Sequence, residues 1–463
     1  MTHFCTSLMF MVPTLPKSPA EWHRKVFTLS WPLILANLTI PFVGAVDTAV
    51  MGRLADPSYI GAVAVGATIL SSIFWMFGFL RMGTTGLTAQ AHGAGDPVET
   101  IAIGARALVI AICLGLFLIA VQVPFVSLML TIFPASEAVE AGAASYLSIR
   151  IWGSLPLFIY LVQTGMLFGL QRMRETLLLS LLMNFSNVSL DLFFVLGLNM
   201  GVEGVAFASL ISEWLAVLAG FFILARTLPA RAFAALKADL RSRVLNRARL
   251  VSLFDVSTNL VLRTFCVQLP FFTFTALGSG LGDSTLAANA ILMQMFFFMT
   301  YGLDGFAHSA EALAGYAFGA KAPDQLRSAT VYTGIWAMGL AVVIALIYGV
   351  AAEPLIALFT TSDAVRETAL VYAPWLAIAP LVCVWAFQFD GIYIGTTQTR
   401  ELRNSMGIAV LIYAAVLWLV YDRWENHGLW LGMILFMLSR SLLLAWRYPR
   451  IELKIAKPTV AAA

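Results

Sequence analysis

The sequence is short of charged residues. Only 11% of its 463 residues are Asp, Glu, Lys or Arg, whereas 60% are hydrophobic. An ordinary soluble domain is roughly a quarter charged, and no soluble fold can bury this much apolar surface. Apolar stretches of the length that a membrane-spanning helix needs, about 20 residues, recur along the whole chain. The composition therefore excludes a soluble globular protein and predicts an all-α integral membrane protein.

Cysteine and the common catalytic motifs are also scarce or missing. The four cysteines lie far apart and three of them lie in apolar segments, at Cys113, Cys266 and Cys383. This spacing excludes a disulfide framework and a cysteine metal site. The sequence contains no Gly-x-x-x-x-Gly-Lys-Ser/Thr, no His-Glu-x-x-His and no Gly-x-Ser-x-Gly. We expect no cofactor, no nucleic-acid partner and no enzymatic activity.

The apolar stretches predict twelve membrane-spanning helices, with residues 227–249 as a basic cytoplasmic linker between two lobes. Lys and Arg concentrate in alternate loops, which predicts cytoplasmic segments at 1–27 and 447–463 in a bacterial inner membrane. The lobes are 28–226 and 250–446. The predicted spans are 28–52, 60–90, 101–130, 144–170, 176–199, 203–226, 250–278, 286–318, 328–350, 369–395, 404–421 and 429–446.

A single offset of 226 residues aligns three motifs of the two lobes. It matches residues 168–175 with 394–401, 87–94 with 313–320, and 62–64 with 288–290. Because each lobe has an even number of helices, the copies share one orientation in the membrane. The sequence therefore predicts two parallel six-helix bundles related by a pseudo-twofold axis along the membrane normal. Such repeats place a substrate site between the halves, which open alternately.

Ionisable residues inside the membrane are functional hypotheses by default, because burying a charge there is costly. Asp47 and Asp191 are predicted at similar depth on the first and fifth helices. Asn184, Asn187 and Asp191 are spaced i, i+3, i+7 and share one helical face. Converging carboxylate and amide oxygens favour a cation site. The alternative is interhelical hydrogen bonding.

The second lobe has a different polar set. Arg263 lies on the seventh helix, and Asp304, His308 and Glu311 follow one face of the eighth. We expect Glu311 or Asp304 to pair with Arg263, in a network that is either structural or part of the transport mechanism.

Three further intramembrane charges stand apart from these two sets. Asp390 is expected one turn from the inner end of the tenth helix, facing cytoplasmic water. Arg81 is placed to snorkel, and the pattern assigns no role to Glu213.

Two apolar features complete the candidates. The adaptable side chains of Met293, Met295 and Phe296 suit a cavity for drug-like ligands, although lipid-facing packing explains them as well. Pro156 and Pro380 lie near the middle of two predicted helices, where they can bend them.

Several motifs resemble the multidrug and toxic compound extrusion (MATE) family, from about residue 31 to residue 444. They are Val46-Asp47-Thr48 with Gly52, Gly93-Ala94-Gly95, and Asn187 with Asp191 before Gly201-Val202-Glu203-Gly204. Two motifs resemble the DinF-like branch of this family in particular. They are Leu303-Asp304-Gly305-Phe306-Ala307-His308 with Glu311, and Phe389-Asp390-Gly391 with Gly395.

The resemblance implies two six-helix bundles arranged in a V, and export of cationic or amphipathic compounds in exchange for H⁺ or Na⁺. It also implies that Asp47, Asp191 and Asn187 form a cation site. Where some family members add an Asn and a Thr on the fourth and sixth helices, this chain has Gln163 and Ser209. We expect H⁺ to be the coupling ion. The alternative is Na⁺ held by Asp47, Asn187 and Asp191.

The expected partners are small organic cations or amphipathic drugs and membrane lipids, with the protein as a monomer. Two other functions remain open from the sequence. One is a flippase for lipid-linked saccharides, which would use Arg and Lys to bind phosphate groups. The other is a membrane enzyme or scaffold that works without an ion gradient.

Overall fold

A computed structural model describes residues 15–51, 58–244 and 246–456, and these residues form helices and connecting turns without a β-strand. The membrane helices are numbered here in chain order. They are α1 (Pro19–Met51), α2 (Ser58–Gly93), α3 (Pro97–Ala120), α4 (Glu137–Gly169), α5 (Met173–Gly197), α6 (Gly201–Thr227), α7 (Arg247–Gly278), α8 (Asp283–Gly319), α9 (Pro323–Val350), α10 (Asp363–Gly395), and α11 with α12, which run together as Thr399–Arg447.

Within the described residues, ten helical stretches are long and apolar enough to cross a membrane. One of them contains both α11 and α12, because Glu425 interrupts the helix with φ 44° and ψ −118°. The 33 residues of α1, at about 1.5 Å per residue, also exceed the roughly 30 Å hydrocarbon thickness. The twelve predicted helices are therefore present.

The described residues form two compact units, residues 35–254 and residues 15–34 with 255–456. The first part of α1 thus packs with the second unit, where Ser30 Oγ donates to Ser309 Oγ at 2.8 Å. Gly305 lies so close to Ile34 that a Cβ atom at residue 305 would overlap its side chain. The predicted lobe boundaries at 28 and 250 differ slightly from these units, because hydropathy marks where a helix starts and not which neighbours it packs on.

The backbone confirms the internal duplication. Residues with positive φ end helices in the left-handed conformation that typically terminates them. Of the eight such residues in the described part of the chain, six form three pairs that are 226 residues apart, namely Gly95 and Lys321, Gln171 and Thr397, and Asn199 and Glu425. Helix ends with positive φ at one offset support the view that both halves are built from the same chain path.

Helix packing repeats at the same offset. In the first unit, a Cβ at Gly165 would lie 2.6 Å from the Arg81 carbonyl oxygen. In the second, a Cβ at Gly391 would overlap the carbonyl oxygen of Ala307, the residue equivalent to Arg81. One turn further along, Gly169 makes the same kind of close contact between α4 and α2, and Gly395 makes it between α10 and α8. Close approach of α2 to α4, and of α8 to α10, therefore requires glycine in both halves.

The predicted linker is helical. Ala230–Ala238 and Leu240–Val244 form two short helices against α3, and their apolar residues Ala232, Leu236 and Val244 are buried. Arg249, just after them, forms an ion pair with Glu99 at the start of α3, and Glu99 also pairs with Arg106. The segment is thus packed onto the first unit.

Two membrane helices contain irregular turns. In α4, residues Ile151–Gly153 form a 3₁₀ turn just before Pro156. In α5, residues Leu192–Gly197 form a π-helical turn directly after Asp191. Single π turns of this kind are frequent at functional sites. In α10, Pro374 and Pro380 lie within a continuous helix.

Candidate functional site

The polar face of α5 is buried in the first unit. Asp191 is fully buried, with both carboxylate oxygens inaccessible, and it lies at the start of the π-helical turn. One turn earlier, Asn187 Nδ2 donates to Ser209 Oγ of α6 at 3.2 Å. No donor among the described residues reaches the buried Oδ1 atom of Asn187. A free amide oxygen one turn from a buried carboxylate offers a place for a cation or a water molecule.

The helix register brings α1 beside this face. Asn184 Nδ2 donates to Thr39 Oγ1 of α1 at 2.6 Å. Further along both helices, Val50 and Val46 of α1 belong to the same apolar cluster as Val195 of the π-helical turn. The two helices therefore run in the same direction. Asp47 is 8 residues beyond Thr39 and Asp191 is 7 beyond Asn184, so their backbones reach similar depth. The Asp47 side chain lies outside the described part.

Gln163 lies at a different level. Its Nε2 donates to the carbonyl oxygen of Val217 in α6 at 3.0 Å, and its amide packs against Gly220. Val217 is 8 residues from Ser209, or about 12 Å along the helix. The structure therefore joins Asn187 with Ser209 and leaves Gln163 as an α4–α6 packing residue.

A three-residue ion-pair cluster occupies the second unit. Asp390 of α10 is buried and pairs through Oδ2 with both Arg263 of α7 and Arg440 of α12. The guanidinium of Arg440 is also within 6.0 Å of the Phe387 and Phe436 ring centroids. The expectation that Asp390 faces cytoplasmic water is wrong, because these two arginines enclose it. Because the two arginines already neutralise the Asp390 carboxylate, this carboxylate is unsuited to bind a further cation.

The expected partners of Arg263 have other contacts. Glu311 is buried, and His308 Nδ1 lies 3.4 Å from its Oε2 atom. Asp304 is half-buried one turn before His308 on α8. Arg263 forms its ion pair with Asp390, which is 127 residues away in the chain. The partner of Arg263 is therefore an aspartate of α10, and not Glu311 or Asp304 of α8 as the sequence predicts.

The remaining intramembrane charges also find partners. Glu213 of α6 forms two hydrogen bonds with the Arg150 guanidinium of α4, at 2.9 and 3.1 Å. Arg81 lies over the Phe168 ring, 5.1 Å from its centroid. Sequence reasoning missed Arg150, Arg106 and Arg440. Their signal was present, since each is an arginine within an apolar stretch.

The methionine-rich segment of α8 is an internal packing surface. Met293, Met295 and Phe296 are all buried, and the Phe296 ring packs on Phe271 of α7 with centroids 6.1 Å apart. The Met295 carbonyl oxygen accepts a hydrogen bond from Tyr348 of α9 at 2.7 Å. The alternative that these residues face lipid is therefore wrong.

Comparisons with known proteins match this architecture. The MatE family model matches twice, over residues 32–193 and 260–419. The chain is 39% identical over 437 residues to DNA damage-inducible protein F of Escherichia coli strain K12, which covers 92% of each protein. It is 23% identical to a probable multidrug resistance protein NorM of Bacillus cereus, over 93% of this chain and 96% of that one.

Solved structures share the fold. A MATE transporter of Vibrio cholerae superposes with a TM-score of 0.84 at 18% identity, over 93% of this chain and 97% of that chain. A MOP superfamily transporter of Pyrococcus furiosus gives 0.83 at 17% identity, over 94% and 97%. The two matched halves, the close relative and the shared fold confirm the resemblance: the chain is a multi-pass membrane transporter of the MATE family.

Proposed function

We propose that the protein exports small cationic or amphipathic compounds in exchange for H⁺, and that Asp47 and Asp191 bind the coupling ion. The observation that carries this proposal is the buried Asp191 beside the free Asn187 oxygen, on the helix face that α1 approaches through Thr39. A buried carboxylate with an acidic neighbour tends to bind a proton, because desolvation and like charge both disfavour its ionised form.

The arginines of the second unit make Asp390 unsuited to hold the coupling ion. Apart from Asp363 at the helix start, Asp390 is the only aspartate on α10 within the described residues, and Arg263 and Arg440 neutralise it.

The preference for H⁺ over Na⁺ rests on the number of available oxygens. Sodium needs several oxygen ligands converging on one point, as hard cations do. Gln163 contacts α6 about 12 Å along the helix from Ser209, so it adds none at the level of Asn187. A proton needs only the carboxylates.

The test is transport in proteoliposomes that contain the purified protein and ethidium as a fluorescent organic cation. The pH gradient and the sodium gradient are imposed separately. We expect ethidium movement to follow the pH gradient and to stop when that gradient is collapsed. Transport that follows sodium at constant pH would overturn the ion assignment and make the Asn187 amide a sodium ligand. Ethidium movement without either gradient would overturn coupled export.

A further inference from the structure

A cavity outside the proposed coupling site lies in the second unit. It has a volume of about 430 Å³ and is formed where α10 meets the turn between α11 and α12. This size falls within the range of small-molecule sites. We call it the Trp375 pocket; its lining residues are Trp375, Arg423, Trp424, Glu425 and His427.

The pocket lies at a membrane–water boundary. Glu425 breaks the helix between two apolar stretches, and unpaired backbone groups at such a break need water or protein partners that the hydrocarbon region does not supply. Tryptophans such as Trp375 and Trp424 are enriched at this depth. A molecule in the pocket would therefore contact the region where lipid headgroups lie.

The aromatic wall is held in place by hydrogen bonding and ring packing. Trp375 Nε1 donates to His427 Nδ1 at 3.0 Å, and the Tyr372 ring packs edge-on against His427 with centroids 4.8 Å apart. Because Nδ1 accepts this bond, the neutral imidazole carries its proton on Nε2. Trp424, by contrast, is 53% exposed and leaves a ring face available.

Two opposite charges complete the lining. Arg423 and Glu425 are both exposed, and neither forms a hydrogen bond or ion pair with another described residue. A guanidinium suits a phosphate group. A carboxylate together with tryptophan faces suits an ammonium group, through charge and cation–π attraction. The pocket thus presents complementary groups for a ligand that carries both charges.

We propose that the Trp375 pocket binds the zwitterionic headgroup of a phospholipid. The phosphate lies on Arg423, and the ammonium group lies against Trp424 and Glu425. A simple organic cation would meet the like charge of Arg423, and an anionic lipid would meet that of Glu425. The boundary position selects membrane lipid as the source of this headgroup.

The test is native mass spectrometry of the protein from micelles that contain equal amounts of palmitoyl-oleoyl phosphatidylethanolamine and phosphatidylglycerol. We expect one phosphatidylethanolamine to be retained preferentially. Arg423→Gln should weaken its retention by about tenfold, since a charge-assisted hydrogen bond is lost. Glu425→Gln should shift retention toward phosphatidylglycerol. Both residues are exposed, so both variants should fold.

Trp418→Ala is the matched control for Trp424→Ala. Trp418 is an exposed tryptophan of the same helix that does not line the pocket. Only the variant at residue 424 should lose the lipid. Equal retention of both lipids by the wild type, or unchanged retention in Arg423→Gln, would overturn the proposal.

A second version of the mass spectrometry experiment adds the water-soluble compound glycerophosphoethanolamine to the micelles. Acyl chains keep the lipid headgroup at high local concentration, so the soluble compound should compete only in large excess. Competition at equal concentration would assign the pocket to a soluble metabolite and would overturn the lipid source.

Discussion

Several buried charged residues of this transporter contact an opposite charge. Arg150 contacts Glu213, and Asp390 contacts two arginines. An opposite charge in contact stabilises the ionised form of a side chain, so we expect structural roles for these residues. We expect the transport chemistry at the proposed coupling residues, Asp47 and Asp191.

Asp47→Asn should abolish gradient-driven ethidium export while insertion and folding stay intact. The change removes an exchangeable charge and keeps the side-chain shape. Asp363→Asn is the control, because the Asp363 side chain is 89% exposed at the start of α10. Full export by a correctly inserted Asp47→Asn protein would rule out a coupling role for this residue.

Asp390→Asn should destabilise the protein, because Arg263 and Arg440 then lack their counter-charge. Breaking a buried ion pair typically costs about 3–5 kcal/mol. Thermal unfolding of the detergent-solubilised protein measures the loss. Adding Arg440→Gln to Asp390→Asn should recover part of it. Strictly additive losses in this double-mutant cycle would show that the two residues do not interact.

The sequence predicted which residues are charged within the membrane but not all their partners. Asn184, Asn187 and Asp191 could be grouped because helical periodicity alone puts them on one face. Arg263 and Asp390 are 127 positions apart, and their pairing depends on how α7, α10 and α12 pack. No local pattern contains that information.

At the scale of elements, glycine sets the closest helix contacts. Gly391→Ala should destabilise the protein, because the added Cβ would overlap the Ala307 carbonyl oxygen of α8. Gly407→Ala in α11 is the matched control, since a Cβ added there would meet no neighbouring atom within 4 Å. At residue 407, alanine should stabilise the helix by up to about 1 kcal/mol relative to glycine. Equal thermal stabilities of the two variants would contradict this packing account.

Helix positions were predictable from hydropathy, whereas irregular turns were not. The π-helical turn after Asp191 lies in a continuous apolar stretch, so composition gives no signal for it. The linker helices were not predicted, because a polar, basic sequence is typical of a loop. Ala232 and Leu236 nevertheless share one buried face against α3.

At the scale of the molecule, the two halves repeat their backbone but not their charges. At the offset of 226, Asp47 corresponds to Thr273 and Asp191 to Leu417, while Asp390 corresponds to Thr164. Thr273 bonds to the Leu269 carbonyl oxygen within its own helix. Duplication thus supplied two similar helix bundles, and divergence gave the acidic pair to one half and the arginine cluster to the other.

The central claim is that Asp47 and Asp191 bind the exchanged proton, so that binding of the substrate weakens binding of the proton and the reverse. The most direct measurement is proton release, read with a pH indicator, when ethidium binds the purified protein in weakly buffered detergent solution. We predict that ethidium binding releases protons from the wild type and that added sodium does not change this release. The Asp191→Asn variant should release none. Ethidium binding without proton release in the wild type, or undiminished release by Asp191→Asn, would contradict the account.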